Sequence, residues 1–470
     1  MKIKKLLLTT TAVMTMLYMQ NTFAVSILPY KVSENKFNSE AHAHSSLHLN
    51  ICGWLDAQTG FRAQDGKYLR TSSTTNDPQR AGITTNNRNI AFDTAGIVRF
   101  EAKGKTKKGL LYVANIDISA DINSNHNQNN NNFARINRAL IYLQDNDMGR
   151  LELGNNDGAA STMLPTANYV AAATGGVGGD WAKYVVLQRP GTSTDTIFIN
   201  PNDFHMNAGS LLDQQGILSG LTPIQKSRKI TYYTPIIQDT GIQLGISYTP
   251  DASNVSFVFP NKVANSTTAP LLGYRDGFSG GISWKGDIAR DNMVKVAVVG
   301  EYAQASKEAK SFFHDLGSVG VGLSHVYKDF STAISYNYLS RSGLRKATAA
   351  SDKTKKDNYV ATLGFAYNID KKTTVSVTGL MSEKWKNKFY NISLGAQYKL
   401  APGLLPYAEV SFFNMKQKIQ NVSARTTVCD GPTCSAAPND IDFANYYPAA
   451  DSDKYKTRGV SFIIGTRIAF

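Results

Sequence analysis

Short segments in which apolar and polar residues alternate recur along the chain from residue 47 to Phe470. A period of two puts every second side chain on the same side of a β-strand, so each segment predicts a strand with one apolar face. Two of the clearest segments are residues 110–119 and 390–399. The pattern indicates sixteen strands in all, which predicts an all-β protein.

The N-terminus has the features of an export signal. Lysines at positions 2, 4 and 5 precede an apolar run, and Thr22 and Ala24 then frame a small-x-small cleavage sequence. We expect a signal peptide over residues 1–24 and a polar periplasmic lead-in over residues 25–46; a buried N-terminal helix is the alternative. No later stretch reaches the ~18 uninterrupted apolar residues of a transmembrane helix. The exported chain is therefore soluble, or it crosses a membrane as a closed barrel.

The connections between the predicted strands favour the membrane barrel. Long connections follow strands 1, 3, 5, 7, 9, 11 and 15, short ones follow the even-numbered strands, and the connection after strand 13 departs from this order. Bacterial outer-membrane barrels combine an even strand number with short periplasmic turns and long external loops. The apolar strand faces suit lipid, and the opposite faces, rich in Asn, Gln, Ser, Thr and charged residues, suit a wet lumen. The sequence therefore predicts a transmembrane antiparallel β-barrel over residues 47–470.

The positive net charge of the chain is compatible with several classes of partner. The formal net charge is +14, and removal of the three signal-peptide lysines leaves 14 − 3 = +11. A basic balance fits nucleic acid, a membrane surface or an anionic solute. Because the sequence contains no nucleic-acid module and carries an export signal, we expect no nucleic-acid partner. A mild preference of a pore for anions, contact with lipopolysaccharide, and lysines simply spread over loops all remain open.

The chain has 3 cysteines, too few to hold a large exported protein together. Cys429 and Cys434 flank a Gly-Pro turn in the last long loop, which favours a local disulfide; two free thiols are the alternative. Cys52 falls on the first predicted strand. The spacing of Cys and His residues predicts no metal site, and nothing in the sequence calls for a cofactor.

The longest connection extends from about residue 156 to residue 227. A loop of that length within a folded domain is either disordered or functional. We expect it to fold into the barrel and to narrow a pore. The sequence contains none of the Gly-x-Ser-x-Gly, HExxH or Walker motifs, so we expect no enzymatic activity, although outer-membrane proteases and phospholipases are also barrels.

Residues 149–159, Gly-Arg-Leu-Glu-Leu-Gly-Asn-Asn-Asp-Gly-Ala, resemble the strand and corner before the constriction loop of Gram-negative general porins. Residues 229–235 and 241–251 look like the strand pair after that loop, in an alphaproteobacterial style. The C-terminal Phe470 is similar to the signal that the outer-membrane assembly machinery reads. The resemblance covers the chain from about Leu47 onward. It implies a sixteen-stranded homotrimeric porin that passes small hydrophilic solutes and ions by diffusion.

The resemblance also implies that acidic groups on the constriction loop face a basic cluster on the wall. The expected wall residues are Arg99, Arg138 and Lys229; Thr231 stands where a third basic residue is expected, with Lys229 two positions earlier on the same face. Opposed charges across a narrow wet gap orient polar solutes and bias ion flow. A structural salt bridge is the alternative for each arginine. The acidic candidates on the loop are Asp157, Asp180, Asp195, Asp203 and Asp213.

Two other roles fit the same pattern. In a substrate-specific channel, the extra residues of the long loop build a binding site. In a surface adhesin or coat barrel, the external loops carry the function, and that role can coexist with a pore.

Overall fold

The computed structural model describes most of the predicted strands and part of the long connection. The signal peptide and lead-in predicted over residues 1–46 lie outside the described residues, as do Asp195, Asp203 and Asp213. The described residues are 47–65, 89–121, 135–185, 228–237, 240–251, 274–289, 291–305, 310, 314–342, 358–384, 387–418, 428–430, 433–435 and 454–470.

Sixteen antiparallel strands form one closed barrel, which confirms the predicted fold. Strands that follow one another in the barrel pair with each other, and the first strand pairs with the last, so the sheet has no open edge. The barrel strands are β1 (His48–Gln64), β2 (Ile90–Lys105), β3 (Leu111–Asp121), β4 (Arg135–Asp145), β5 (Gly149–Asn155), β6 (Arg228–Tyr233), β7 (Ile242–Asp251), β8 (Tyr274–Ala289), β9 (Asn292–Ala305), β10 (Leu316–Tyr327), β11 (Phe330–Tyr338), β12 (Tyr359–Asn368), β13 (Thr373–Lys384), β14 (Asn387–Tyr398), β15 (Leu404–Lys418) and β18 (Lys454–Ala469).

The elements outside the barrel wall are short. Strands β16 (Val428–Asp430) and β17 (Thr433–Ser435) form a separate two-stranded sheet. Four helices of one turn or so lie in the connection between β5 and β6. Within the described ranges, no helix has the length and apolar character needed to cross a membrane. The four helices are α1 (Ala159–Met163) and the 3-10 turns η1 (Ala167–Tyr169), η2 (Gly176–Gly178) and η3 (Asp180–Tyr184).

The barrel carries its apolar side chains outside and its polar side chains inside. On β14, Ile392 and Leu394 are 55% and 48% exposed, whereas Asn391 and Ser393 beside them are 1% and 0% exposed. A soluble barrel buries its apolar face, whereas a barrel in lipid exposes it and keeps a polar lumen. The strand alternation thus produces a transmembrane barrel.

The two ends of the barrel differ in the length of their connections. Tight turns such as the one at Lys328, whose φ is +52°, join strands at one end, which we call the short-turn end. The connection between β13 and β14 is short although it lies at the other end, as the sequence predicted. At the short-turn end the backbones of Gly53 and Phe470 exchange hydrogen bonds of 2.9 and 3.0 Å, which ties the C-terminus to β1.

Candidate functional site

The connection after β5 enters the barrel and follows the inner wall, as expected. Backbone N–H groups of the connection donate hydrogen bonds of 2.8 to 3.0 Å to hydroxyl groups on four strands of the wall. These bonds satisfy backbone groups that have no helix or sheet partner. The donors are Ala159, Ala160, Ala167, Ala172 and Val177, and the acceptors are Ser247 of β7, Ser279 of β8, Thr362 of β12, and Ser376 and Thr378 of β13.

Glu409 of β15 anchors the middle of the connection. Its Oε2 accepts hydrogen bonds from the N–H groups of Thr174 at 3.1 Å and Gly176 at 3.2 Å, and from the Thr174 hydroxyl at 2.9 Å. The Glu409 side chain is almost fully buried. A buried carboxylate is tolerated only when donors compensate its charge, and here the loop supplies them.

An aromatic stack fixes the loop next to this anchor. Trp181 is fully buried, and its ring stacks on Phe389 of β14 and Phe413 of β15 with centroid distances of 5.9 and 5.6 Å. Its Nε1 donates to the carbonyl of Val177 at 3.1 Å. Loop and wall therefore share a small apolar core inside an otherwise polar lumen.

The described loop ends against the first two strands. Asp180 accepts a hydrogen bond of 3.0 Å from Gln58 of β1, and the Lys183 ammonium lies 2.7 Å from Asp93 of β2 and 3.3 Å from Asp180. Burial alone would lower the pKa of Lys183, but the two carboxylates outweigh it and raise the pKa above its ordinary value. Lys183 therefore stays charged and links loop to wall.

Two glycines of the wall leave space for the loop backbone. A Cβ at Gly322 of β10 would lie 2.4 Å from the carbonyl oxygen of Pro165, and one at Gly364 of β12 would lie 2.9 Å from that of Ala167. A side chain at either position would push the loop towards the barrel axis. These contacts, with the hydrogen bonds above, carry the loop from β7 around to β2.

The predicted wall arginines lie between the two ends of the described loop. Arg99 of β2 makes a bidentate pair with Asp117 of β3 at 2.6 and 2.8 Å. The Arg138 guanidinium of β4 lies 2.9 Å from Asp157 at the start of the loop and 3.8 Å from Asp117. Four side chains thus form one alternating chain of charges, which we call the wall cluster: Arg99, Asp117, Arg138 and Asp157.

Lys229, the third predicted basic residue, is not part of the wall cluster. Its side chain is 5% exposed on the lumen face of β6, and its ammonium donates to the carbonyl of Asn156. It therefore holds the start of the loop. Asp180 lies at the far end of the described loop. Of the predicted residues that the structure describes, it therefore brings together Arg99, Arg138 and Asp157.

Sequence reasoning missed several charged residues of the same wall. Asp117 was visible on the polar face of a clear strand, but nothing indicated that it links two arginines. Arg150 and Glu152 of β5 pair at 2.6 Å, and the Arg150 guanidinium lies 3.7 Å from the centre of the Tyr142 ring. Their positions on one face of the strand were the available signal.

The cysteines fall in two places. Strands β16 and β17 set Cys429 directly opposite Cys434. This backbone register is one at which a disulfide can form. Cys52 lies half-buried in β1 and carries a free thiol. In the described part of the chain, no three His, Cys, Asp or Glu residues are grouped so that they could hold a metal ion.

Comparison with known proteins identifies the family. An uncharacterized protein of Rickettsia conorii is 25% identical over 473 residues, which cover 91% of this chain and 94% of that protein. One of Rickettsia prowazekii is 27% identical over 387 residues, covering 72% and 77%. A mutant of the Rh. blastica porin, a solved structure, aligns with 90% of this chain and 100% of its own at 14% identity and a TM-score of 0.45. A family model described as Gram-negative porin matches residues 39–418. Because that match spans most of the chain, the protein belongs to the Gram-negative porin family.

Proposed function

We propose that this protein is an outer-membrane porin whose barrel forms a water-filled channel for passive diffusion of small hydrophilic solutes and ions. The observation that carries the proposal is a closed barrel with apolar residues outside, polar residues inside and a loop bound along its inner wall. Such a loop narrows a channel without having to fill its centre. No enzymatic step, cofactor or metal enters this function.

The proposal includes an export route and an assembly. The signal peptide of residues 1–24 is cleaved, residues 25–46 remain in the periplasm, and residues 47–470 insert as the barrel. Three copies assemble into a homotrimer in the outer membrane, in contact with lipopolysaccharide. Family membership and the basic, then apolar, N-terminus support this part.

We further propose that the wall cluster lines the constriction. Its Arg138 faces Asp157, and Lys229 fixes the start of the loop. Asp180 adds an acidic group where the loop meets β1. The remaining acidic candidates are Asp195, Asp203 and Asp213. The 2.9 Å pair between Arg138 and Asp157 supports a constriction built where the loop leaves the wall. Paired charges of this kind orient polar solutes and disfavour apolar ones.

Liposome swelling tests the proposal and separates it from a substrate-specific channel. Liposomes that contain the refolded mature protein are placed in solutions of neutral sugars of increasing size. A diffusion porin admits the sugars at rates that fall smoothly with their size. A specific channel admits one sugar faster than its size predicts. Liposomes that contain the folded barrel and do not swell even with the smallest sugar would contradict the proposal and favour a role of the external loops.

A further inference from the structure

Two lysines are neighbours on the inner wall of the barrel. Their strands lie across the barrel from β1 and β18. Lys285 of β8 and Lys295 of β9 are direct partners in the register of these strands. Ser324 of β10 is the partner of Lys295 on its other side. All three residues stand near the short-turn end of their strands.

The side chains of both lysines point into the lumen. On β8, the alternate residues Ser279 and Ser283 are buried, while Phe278 and Ile282 between them are exposed to the outside. Lys285 shares the face of the two serines, and Lys295 stands opposite it. The Lys295 ammonium lies 5.6 Å from the centre of the Tyr169 ring, which belongs to the loop inside the barrel. Both lysines are half-buried.

These lysines differ from the ion-paired cations of the lumen. In each of those cations, a side-chain nitrogen lies 2.6 to 2.9 Å from a carboxylate oxygen. They are Arg99, Arg138, Arg150, Lys183 and Arg467. An ion pair requires a carboxylate oxygen within 4.0 Å of the ammonium group. Within the described part of the chain, neither Lys285 nor Lys295 has one. Asp287, two residues further along β8, attracts Lys285 from a greater distance, and Lys285 repels Lys295.

Two like charges directly across a strand pair destabilise the sheet unless something compensates them. A small oxyanion between the two ammonium groups would do so, because each ammonium offers three N–H donors and a full positive charge. The Ser324 hydroxyl, on the same rung, can add a neutral donor. The ring of Tyr169 bounds the space on the loop side.

We propose that Lys285, Lys295 and Ser324 form a subsite in the channel that binds small oxyanions, such as phosphate or a carboxylate-bearing solute. The proposal rests on the function proposed above and adds to it a class of preferred solute. A pair of fixed positive charges on the wall raises the local concentration of anions and lowers that of cations. The channel therefore passes small anions more readily than cations of the same size.

The first test removes both charges. In the Lys285→Gln/Lys295→Gln variant, the anion-to-cation permeability ratio, measured as reversal potential in a potassium phosphate gradient, falls by about threefold or more. The matched control is Lys371→Gln/Lys372→Gln, which removes two exposed charges from the β12–β13 turn at the same end of the barrel. The control ratio stays at the wild-type value. An equal ratio in wild type and lumen variant overturns the subsite and leaves the porin function intact.

A second readout does not depend on conduction. The folded wild-type barrel is acetylated with and without inorganic phosphate, and the modified lysines are identified by peptide mass spectrometry. Phosphate protects Lys285 and Lys295 several-fold, while Lys371 and Lys372 react equally in both samples. If the folded barrel shows this protection and conducts no current, the subsite is supported and the proposed porin function is contradicted. Absence of protection, or equal protection by chloride at the same ionic strength, overturns the oxyanion assignment.

Discussion

At the scale of single residues, the wall cluster depends on one carboxylate. Asp117 is 2% exposed, binds Arg99 through two hydrogen bonds and lies 3.8 Å from Arg138. Both arginines are only slightly exposed to the lumen. Asp117 therefore neutralises positive charge on the lumen wall.

We expect Asp117→Asn to increase the anion preference of the channel and to lower its stability. Neutralising one member of a buried charge pair leaves the other uncompensated, which costs roughly 3–5 kcal/mol in proteins. Reversal potentials and urea unfolding of the refolded barrel measure the two effects. Asp147→Asn, the same change in the exposed β4–β5 turn, is the control. Identical behaviour of both variants would contradict the assigned role.

Glu409 gives a second prediction at this scale. Glu409→Ala leaves the N–H groups of Thr174 and Gly176 without their acceptor, at a cost of about 1–3 kcal/mol each. The loop then loosens while the barrel stays folded, which appears as larger fluctuations of the open-channel current. Glu409→Gln keeps an acceptor oxygen, so its open-channel current fluctuates little more than that of the wild type. If the alanine variant is as quiet as wild type, the anchor is dispensable.

At the scale of elements, the sequence predicted the strands better than the path of the loop. Alternation marked the strands because lipid and lumen impose opposite chemistry on their two faces. The loop contacts arise from pairs such as Thr174 and Glu409, which are 235 residues apart and carry no local signal. β1 also extends to Gln64, past the clear alternation, because it pairs with β18 as far as Gly459.

The candidate site was predicted in part for the same reason. Arg99 was predictable because alternation alone turns it into the lumen. The partners of Lys229 and Asp180 were not, since they depend on where the loop touches the wall. The pair of Lys285 and Lys295 depends on the register of β8 with β9, which a single sequence does not reveal.

The fit between loop and wall can be tested with glycine substitutions on one strand. Gly322→Ala puts a Cβ against the Pro165 carbonyl, so the loop moves towards the pore axis and single-channel conductance falls. Gly317→Ala on the same strand is the control, because its Cβ would meet no neighbour closer than 4.0 Å. Equal conductance of the two variants would show that the loop does not lie against β10.

The hairpin of β16 and β17 supports a separate prediction. We expect Cys429 and Cys434 to form a disulfide, which peptide mass spectrometry without reduction detects. Since the hairpin lies outside the barrel sheet, reduction leaves the thermal unfolding of the barrel unchanged. Labelling of both thiols by N-ethylmaleimide before reduction would contradict the pairing.

At the scale of the whole molecule, closure and the inverted distribution of side chains define what the protein can be. In the closed sheet every barrel strand has a hydrogen-bonded neighbour on both sides, as a lipid environment demands. The sequence predicted this architecture because sixteen alternating strands and alternating loop lengths agree with each other. The lumen wall carries ion-paired arginines on β2, β4 and β5 and two adjacent lysines on β8 and β9.

The proposed function requires that this lumen is an open, water-filled channel. Single-channel recording of the refolded mature protein in a planar bilayer tests it most directly. We expect stable conductance steps in groups of three, with current proportional to salt concentration and a modest preference for anions. A barrel that is correctly folded by circular dichroism and heat-dependent gel mobility, yet inserts without any conductance, would contradict an open channel.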